Sequence, residues 1–175
     1  LSLVGSEMCI RDRSAIASAA YRAGERLFSS YYGEVSDYTK KSGVIACEIM
    51  LPPHAPEEYL DRAALWNAVE KCEKHPKAQL AYSFDIAMQN ELTLEENMEL
   101  ARKFVQEQFV AKGMIADLAF HTPDKEKNGI PNPHFHVMTT MRPLNPDGTW
   151  GQKQRREYLL DEDGNRVRDK NGDYV

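Results

Sequence analysis

The sequence predicts an α+β fold: a largely antiparallel sheet with helices packed on it. Three observations lead there. Apolar residues recur at helical spacing in three separated stretches, and segments of strand length lie between and after them. The last two strand-like segments are joined only by a polar loop, as in a hairpin. The order helix, strand, helix, strand, helix, strand, strand lacks the strict alternation of a doubly wound parallel sheet. The 175 residues fit one domain with a core of its own.

The elements follow in order. Ser14 opens a helix whose Ile16, Ala20, Ala23 and Leu27 share one face, and Gly33 with its polar neighbours ends the segment. The alanines let that face lie close against a sheet. Residues 43–51 read as a strand stopped by Pro52 and Pro53. Residues 56–74 read as a helix with Leu60, Ala63, Leu65, Trp66, Val69 and Cys72 in its apolar stripe. Residues 80–88 alternate in part and read as a strand. Thr93 and Glu96 form a capping box, followed by Leu94, Met98, Ala101, Val105 and Phe109 on one helical face, with Gly113 as the stop. Strands are predicted over 114–121 and 134–142, with a polar loop at 122–132. Asp147-Gly148, Asp163-Gly164 and Asn171-Gly172 mark turns in the tail.

Composition excludes several classes. Hydrophobic residues are 42% and charged residues 28%, ordinary for a globular chain and unlike a disordered or collagen-like one. No apolar run approaches a membrane span, so no membrane insertion is expected. Three scattered cysteines with no C-x-x-C argue against a disulfide framework and suit a reducing compartment. The net charge is −5, but the acid excess is local: residues 56–110 hold 11 acidic and 6 basic side chains, and the rest balances at 16 of each. Basic clusters at Arg22 and Arg26, at Lys40 and Lys41, and at Lys153, Arg155 and Arg156 leave room for a nucleic-acid partner without requiring one. Residues 1–13 (LSLVGSEMCIRDR) resemble a translated sequencing adapter, so they are expected to lie outside the fold. The domain is then expected over 14–150, with a turn-rich tail at 151–175 and truncation at both ends.

Three of the five histidines fall within sixteen residues. His134 and His136 sit at i and i+2 of a strand, so both rings project from one face and Phe135 from the other. His121 ends the preceding strand, and antiparallel pairing across the loop sets it beside His134. An H-x-H pair alone is also compatible with solvated or hydrogen-bonded strand histidines. Three converging imidazoles with open positions are a metal site of catalytic rather than closed structural type. His54 and His75 read as surface histidines. No Ser/His/Asp order, phosphate-binding glycine loop or HExxH is present, so the nucleophile is water or a side chain from elsewhere.

Several motifs, in order, resemble the MobA/MobL relaxases, plasmid mobilisation nucleases of the HUH class. They are SAIASAAYRAGE at 14–25, Asp37-Tyr38, EIMLP at 48–52, ELT at 91–93 and NPHFH at 132–136. The resemblance covers 14–150. It implies site- and strand-specific nicking of single-stranded DNA at a plasmid transfer origin through a covalent 5′-phosphotyrosine. It sets the nucleophile on Tyr21, the metal ligands on His121, His134 and His136, and an acidic base or histidine orienter on Asp85. At that last place the family usually has Glu. It further implies Mn²⁺ or Mg²⁺ as cofactor, accessory mobilisation proteins and a type IV secretion coupling protein as partners, and a bacterial cytoplasmic location. The family begins with a strand ahead of the tyrosine helix, where this chain has its adapter-like stretch. Tyr31, Tyr32 and Tyr38 compete for the nucleophile role. Replication initiators or transposases of the same class carry their tyrosine after the H-x-H, whereas Tyr21 precedes it. A non-catalytic metal- or DNA-binding module, with Tyr21 merely packed, is the reading from another class.

Overall fold

The structure is a computed structural model that describes residues 2–3, 8–10, 14–75, 77–122, 124–125, 129, 131–153 and 159–172. Among them run strands β1 (Ser2–Leu3) and β2 (Met8–Ile10), helix α1 (Ala15–Ala23), β3 (Arg26–Ser29), β4 (Glu34–Asp37), β5 (Val44–Met50), α2 (Arg62–Cys72), β6 (Ala81–Ala87), α3 (Leu94–Gln108), β7 (Ala116–His121), β8 (Asp124–Lys125), β9 (Pro131–Asn132) and β10 (His134–Thr140). The main sheet has the order β1-β6-β10-β7-β5, with β2 also on β6, and every pairing in it is antiparallel. The α+β expectation holds.

The pleat sorts the sheet into two faces. One carries Ser83 and Asp85 of β6, His136 and Met138 of β10, and Asp117 and Ala119 of β7, since His136 pairs with both Asp85 and Ala119. Helices α1 and α2 cover this face through Ile16, Ala19, Ala20, Leu65, Trp66 and Val69, which cluster with Met138. The other face carries Phe120, Phe135, Leu118 and Val137, packed with Ala101 and Val105 of α3. Phe120 and Phe135 stack there at 5.6 Å. The sheet is thus a middle layer whose H-x-H strand turns its two histidines toward α1 and its phenylalanine into the opposite core.

Helix α1 ends earlier than its apolar spacing predicts. Gly24 takes the left-handed conformation at φ 65° and closes the helix with its N–H on Ala20 O. Leu27 still reaches the core, but from β3, which forms a hairpin with β4 that periodicity did not disclose. At the other end Ser14 caps the helix, and the buried Glu70 carboxylate accepts from Ser14 Oγ at 2.6 Å, Ile16 N at 3.1 Å and Ser29 Oγ at 2.7 Å.

The second predicted helix is split. A 3₁₀ turn, Glu57–Leu60, precedes the Asp61 cap of α2. The tighter turn buries Tyr59 and leaves Leu60 57% exposed, so Leu60 lies outside the apolar stripe. The Thr93–Glu96 capping box of α3 is present in full, and Gly113 is left-handed after a 3₁₀ turn at Val110–Lys112. Leu94 is exposed rather than packed. The polar loop after β7 contains a short β8–β9 ladder. The predicted turns at Gly148, Gly164 and Gly172 each close with a backbone hydrogen bond. At the N-terminus, β1 and β2 pair with β6, although residues 1–13 were expected outside the fold. The edge of β6 offers unpaired backbone groups, and such pairing depends little on side-chain identity.

Candidate metal centre

The β7–β10 register pairs Phe120 with Phe135, and His121 and His134 are the next residues outward on each strand. The ring centroids of His121 and His136 lie 4.5 Å apart, those of His134 and His136 5.1 Å, and those of His121 and His134 6.2 Å. One ring nitrogen from each histidine lies within 4.8 Å of the others. The strand-face argument therefore brings together the three residues it named.

The other nitrogen of each ring is tied to an oxygen that can only accept. His121 Nε2–H donates to Arg22 O at 2.8 Å, His134 Nδ1–H to Asn132 O at 2.9 Å, and His136 Nδ1–H to the Asp85 carboxylate. These bonds set the ring orientations and leave His121 Nδ1, His134 Nε2 and His136 Nε2 as the nitrogens open to a ligated ion. Burial pushes the His121 pKa down, and the neighbouring His136, Lys41 and His134 push the same way against the hydrogen bond to Arg22. His121 is accordingly neutral at neutral pH, the form a ligand needs. The hydrogen bond from His136 holds the Asp85 carboxyl below its ordinary value, against a smaller effect of burial. Three imidazole nitrogens with an anionic partner behind one of them suit a divalent transition ion and leave coordination positions for oxygen ligands.

Tyr21 lies in the last turn of α1, and the residue is 52% exposed. The same turn binds the site: the Arg22 carbonyl is the acceptor for His121. Tyr21 O accepts from Lys41 Nζ at 2.9 Å, and the Cys47 thiol points at Ala23 O at 3.8 Å. Burial pushes that thiol up to about 11, so it stays protonated. The Arg22 side chain turns inward. Its NH2 donates to Ser83 Oγ at 2.5 Å and its NH1 approaches Met138 Sδ at 3.6 Å, while the buried Nε has no partner among the described residues. Beneath it, Asp117 accepts from Arg62 Nε at 2.8 Å and Trp66 Nε1 at 2.9 Å, and Arg62 also meets Glu25. This network joins α2, β7 and the residue that follows the Gly24 cap of α1.

The profile of the MobA/MobL family matches residues 13–174. The chain belongs to the MobA/MobL family. Similar proteins include a conjugal transfer protein TraA of Rhizobium radiobacter, 41% identical over 91% of this chain, and a probable mobilization protein MobA of Bifidobacterium longum, 36% identical over 87%. The chain spans 15% of the length of that TraA and 27% of that MobA. A solved structure described as the molecular basis of vancomycin resistance transfer in Staphylococcus aureus superposes with a TM-score of 0.72 at 32% identity. It covers 82% of this chain and 70% of its own.

Within this MobA/MobL chain the remaining sequence candidates lie apart from the histidines. His54 Nε2–H donates to Leu144 O at 2.9 Å, and His75 Nδ1 accepts from Lys77 N at 3.1 Å. Tyr31 and Tyr32 contact each other edge to face at 4.8 Å in the β3–β4 turn. Tyr38 sets its ring edge-on to Tyr21, with centroids 5.2 Å apart. Sequence reasoning missed Lys41 and the inward turn of Arg22. The paired basic residues Lys40 and Lys41 were visible, but nothing local linked them to residue 21.

Proposed function

We propose that this chain nicks single-stranded DNA at a plasmid transfer origin, with Tyr21 as nucleophile. The observation that carries the reading is the bond from His121 to the carbonyl of Arg22. It joins the three-histidine cluster to the helix turn that bears Tyr21. In the reaction Tyr21 Oη forms a bond to phosphorus, the bond from phosphorus to the 3′ oxygen breaks, the phenol gives up its proton and the departing oxygen gains one. The 5′ end stays on the protein as a phosphotyrosine, which keeps the ester energy for later rejoining. His121, His134 and His136 would hold a divalent ion, Mn²⁺ or Mg²⁺, which would draw charge from the non-bridging phosphate oxygens. Asp85 fixes the His136 tautomer and orientation. The nucleic-acid partner is the single-stranded origin, with accessory mobilisation proteins and a type IV secretion coupling protein beyond it, in the bacterial cytoplasm. Among the described residues no helix is long and apolar enough to cross a membrane.

The test is a denaturing gel after incubation with an origin oligonucleotide and Mn²⁺ or Mg²⁺. The unaltered protein should form a covalent DNA adduct. Tyr21→Phe, which removes only the hydroxyl of an exposed residue, should fold and bind DNA but form none. An adduct from the Phe variant would move the chemistry to Tyr31, Tyr32 or Tyr38. Cutting without any adduct would make water the nucleophile.

A further inference from the structure

We propose that Lys41 is a positioning residue for Tyr21: it grips the phenol ring by its face and the backbone of the same residue by its carbonyl. The proposal rests on Tyr21 as the attacking group. The Lys41 ammonium lies 3.8 Å from the Tyr21 ring centroid and donates to Tyr21 O at 2.9 Å. One flexible side chain thus fixes both ends of the lever that carries the hydroxyl.

The turn that presents Lys41 is itself anchored. Lys41 N donates to Tyr38 O at 2.9 Å, so Tyr38 and Lys41 flank one turn and reach the Tyr21 ring together. Tyr38 meets it edge-on at an interplanar angle of 86°, while the cation sits over the face. Two residues on, Gly43 O accepts from Thr122 N at 2.7 Å, which ties the turn to the end of β7 beside His121. The contacts are of distinct kinds: the ring face attracts a cation through its quadrupole, and a helix C-terminal carbonyl favours positive charge. An unconstrained lysine would give up rotamer freedom to be held this way. Two bonds to one residue supply the compensation. Lys41 is half-buried, and burial followed by the nearby Arg22 lowers its pKa, which marks the ammonium as sitting at the protein surface and only partly in bulk water.

A lysine that simply contacts a DNA phosphate behaves differently, so the two roles separate in one experiment. Lys41→Arg retains charge and donors, Lys41→Gln retains a donor without charge, and Lys41→Met retains neither. Each is measured for DNA affinity across a salt series and for the single-turnover rate of adduct formation at saturating origin oligonucleotide. The expected result is a rate about tenfold lower for Gln and Met and within about threefold for Arg, since loss of orientation alone costs between one and two decades. Affinity and its salt slope stay unchanged. Weakened binding with a salt slope lower by about one, and an unaltered rate at saturation, would make Lys41 a phosphate contact and overturn the proposal. Equal rates for all three variants would overturn it as well. Tyr21→Phe, run in parallel, reports on the nucleophile alone, so an adduct from that variant identifies failure of the underlying reading rather than of the lysine.

Discussion

Asp85→Ala tests how the site is held. His136 donates Nδ1–H to this carboxylate, which leaves Nε2 as the ring nitrogen open to an ion. Removing an acceptor behind a ligating histidine typically costs 10- to 100-fold in metal affinity. The structure sets where in that range this site falls. The Asp85 side chain is 47% exposed and that of His136 only 17%. Water can therefore replace the lost acceptor at the open end, while the ring remains packed. The low end follows: about tenfold, or about 1.4 kcal/mol. His136→Ala removes a nitrogen ligand outright and should cost at least ten times more. Isothermal titration of Mn²⁺ into the purified variants measures both. If Asp85→Ala weakens Mn²⁺ as much as His136→Ala does, Asp85 is itself a ligand and the tautomer argument is wrong. If it changes nothing, the Arg22 and Asn132 carbonyls suffice to orient the cluster and Asp85 has no part in it.

Asp117→Ala should cost about 3 kcal/mol in urea unfolding at constant m, because it leaves the buried Arg62 guanidinium with Glu25 as its remaining carboxylate and the Trp66 indole N–H without its acceptor. Glu73 gives a pH prediction. Burial raises its pKa, but hydrogen bonds from Arg142 at 2.8 Å and Lys153 at 2.9 Å outweigh that and bring it below its ordinary 4.5. The unfolded chain then takes up the proton first, so the contribution is complete above pH 4.5 and is lost as pH falls through the lowered folded value. Glu73→Gln should accordingly flatten the acid limb of the stability curve, below the ordinary 4.5, in denaturant titrations, and an unchanged slope would remove Glu73 from acid unfolding.

The parts of the site that sequence could disclose are those written in a short local code. His134 and His136 share a face because strand periodicity is two, and the Thr93–Glu96 box announces a helix start within four residues. The end of α1 was harder. Leu27 continues the spacing of Ala20 and Ala23, so periodicity runs on past Gly24, and only that glycine's left-handed φ breaks it. Leu60 fails for a related reason, since a 3₁₀ turn rotates side chains out of the α register. Charge pairs such as Arg62 with Asp117 are separated by 55 positions and leave no local trace. Lys41 and Tyr21 are twenty residues apart and meet only once the β3–β4 hairpin has folded back.

The last turn of a helix is normally where its backbone loosens, for want of partners on its final carbonyls. Here the carbonyls of Tyr21, Arg22 and Ala23 face Lys41, His121 and Cys47, which belong to a loop, to β7 and to β5. The backbone at residue 21 is therefore pinned from three directions while the residue remains exposed. What freedom Tyr21 keeps is torsional: rotation about two side-chain bonds, limited by the Lys41 and Tyr38 contacts on its ring. Any ligand meeting its hydroxyl must come to an arc of fixed radius about a fixed Cα, and the approach angle is set by the protein before the ligand arrives.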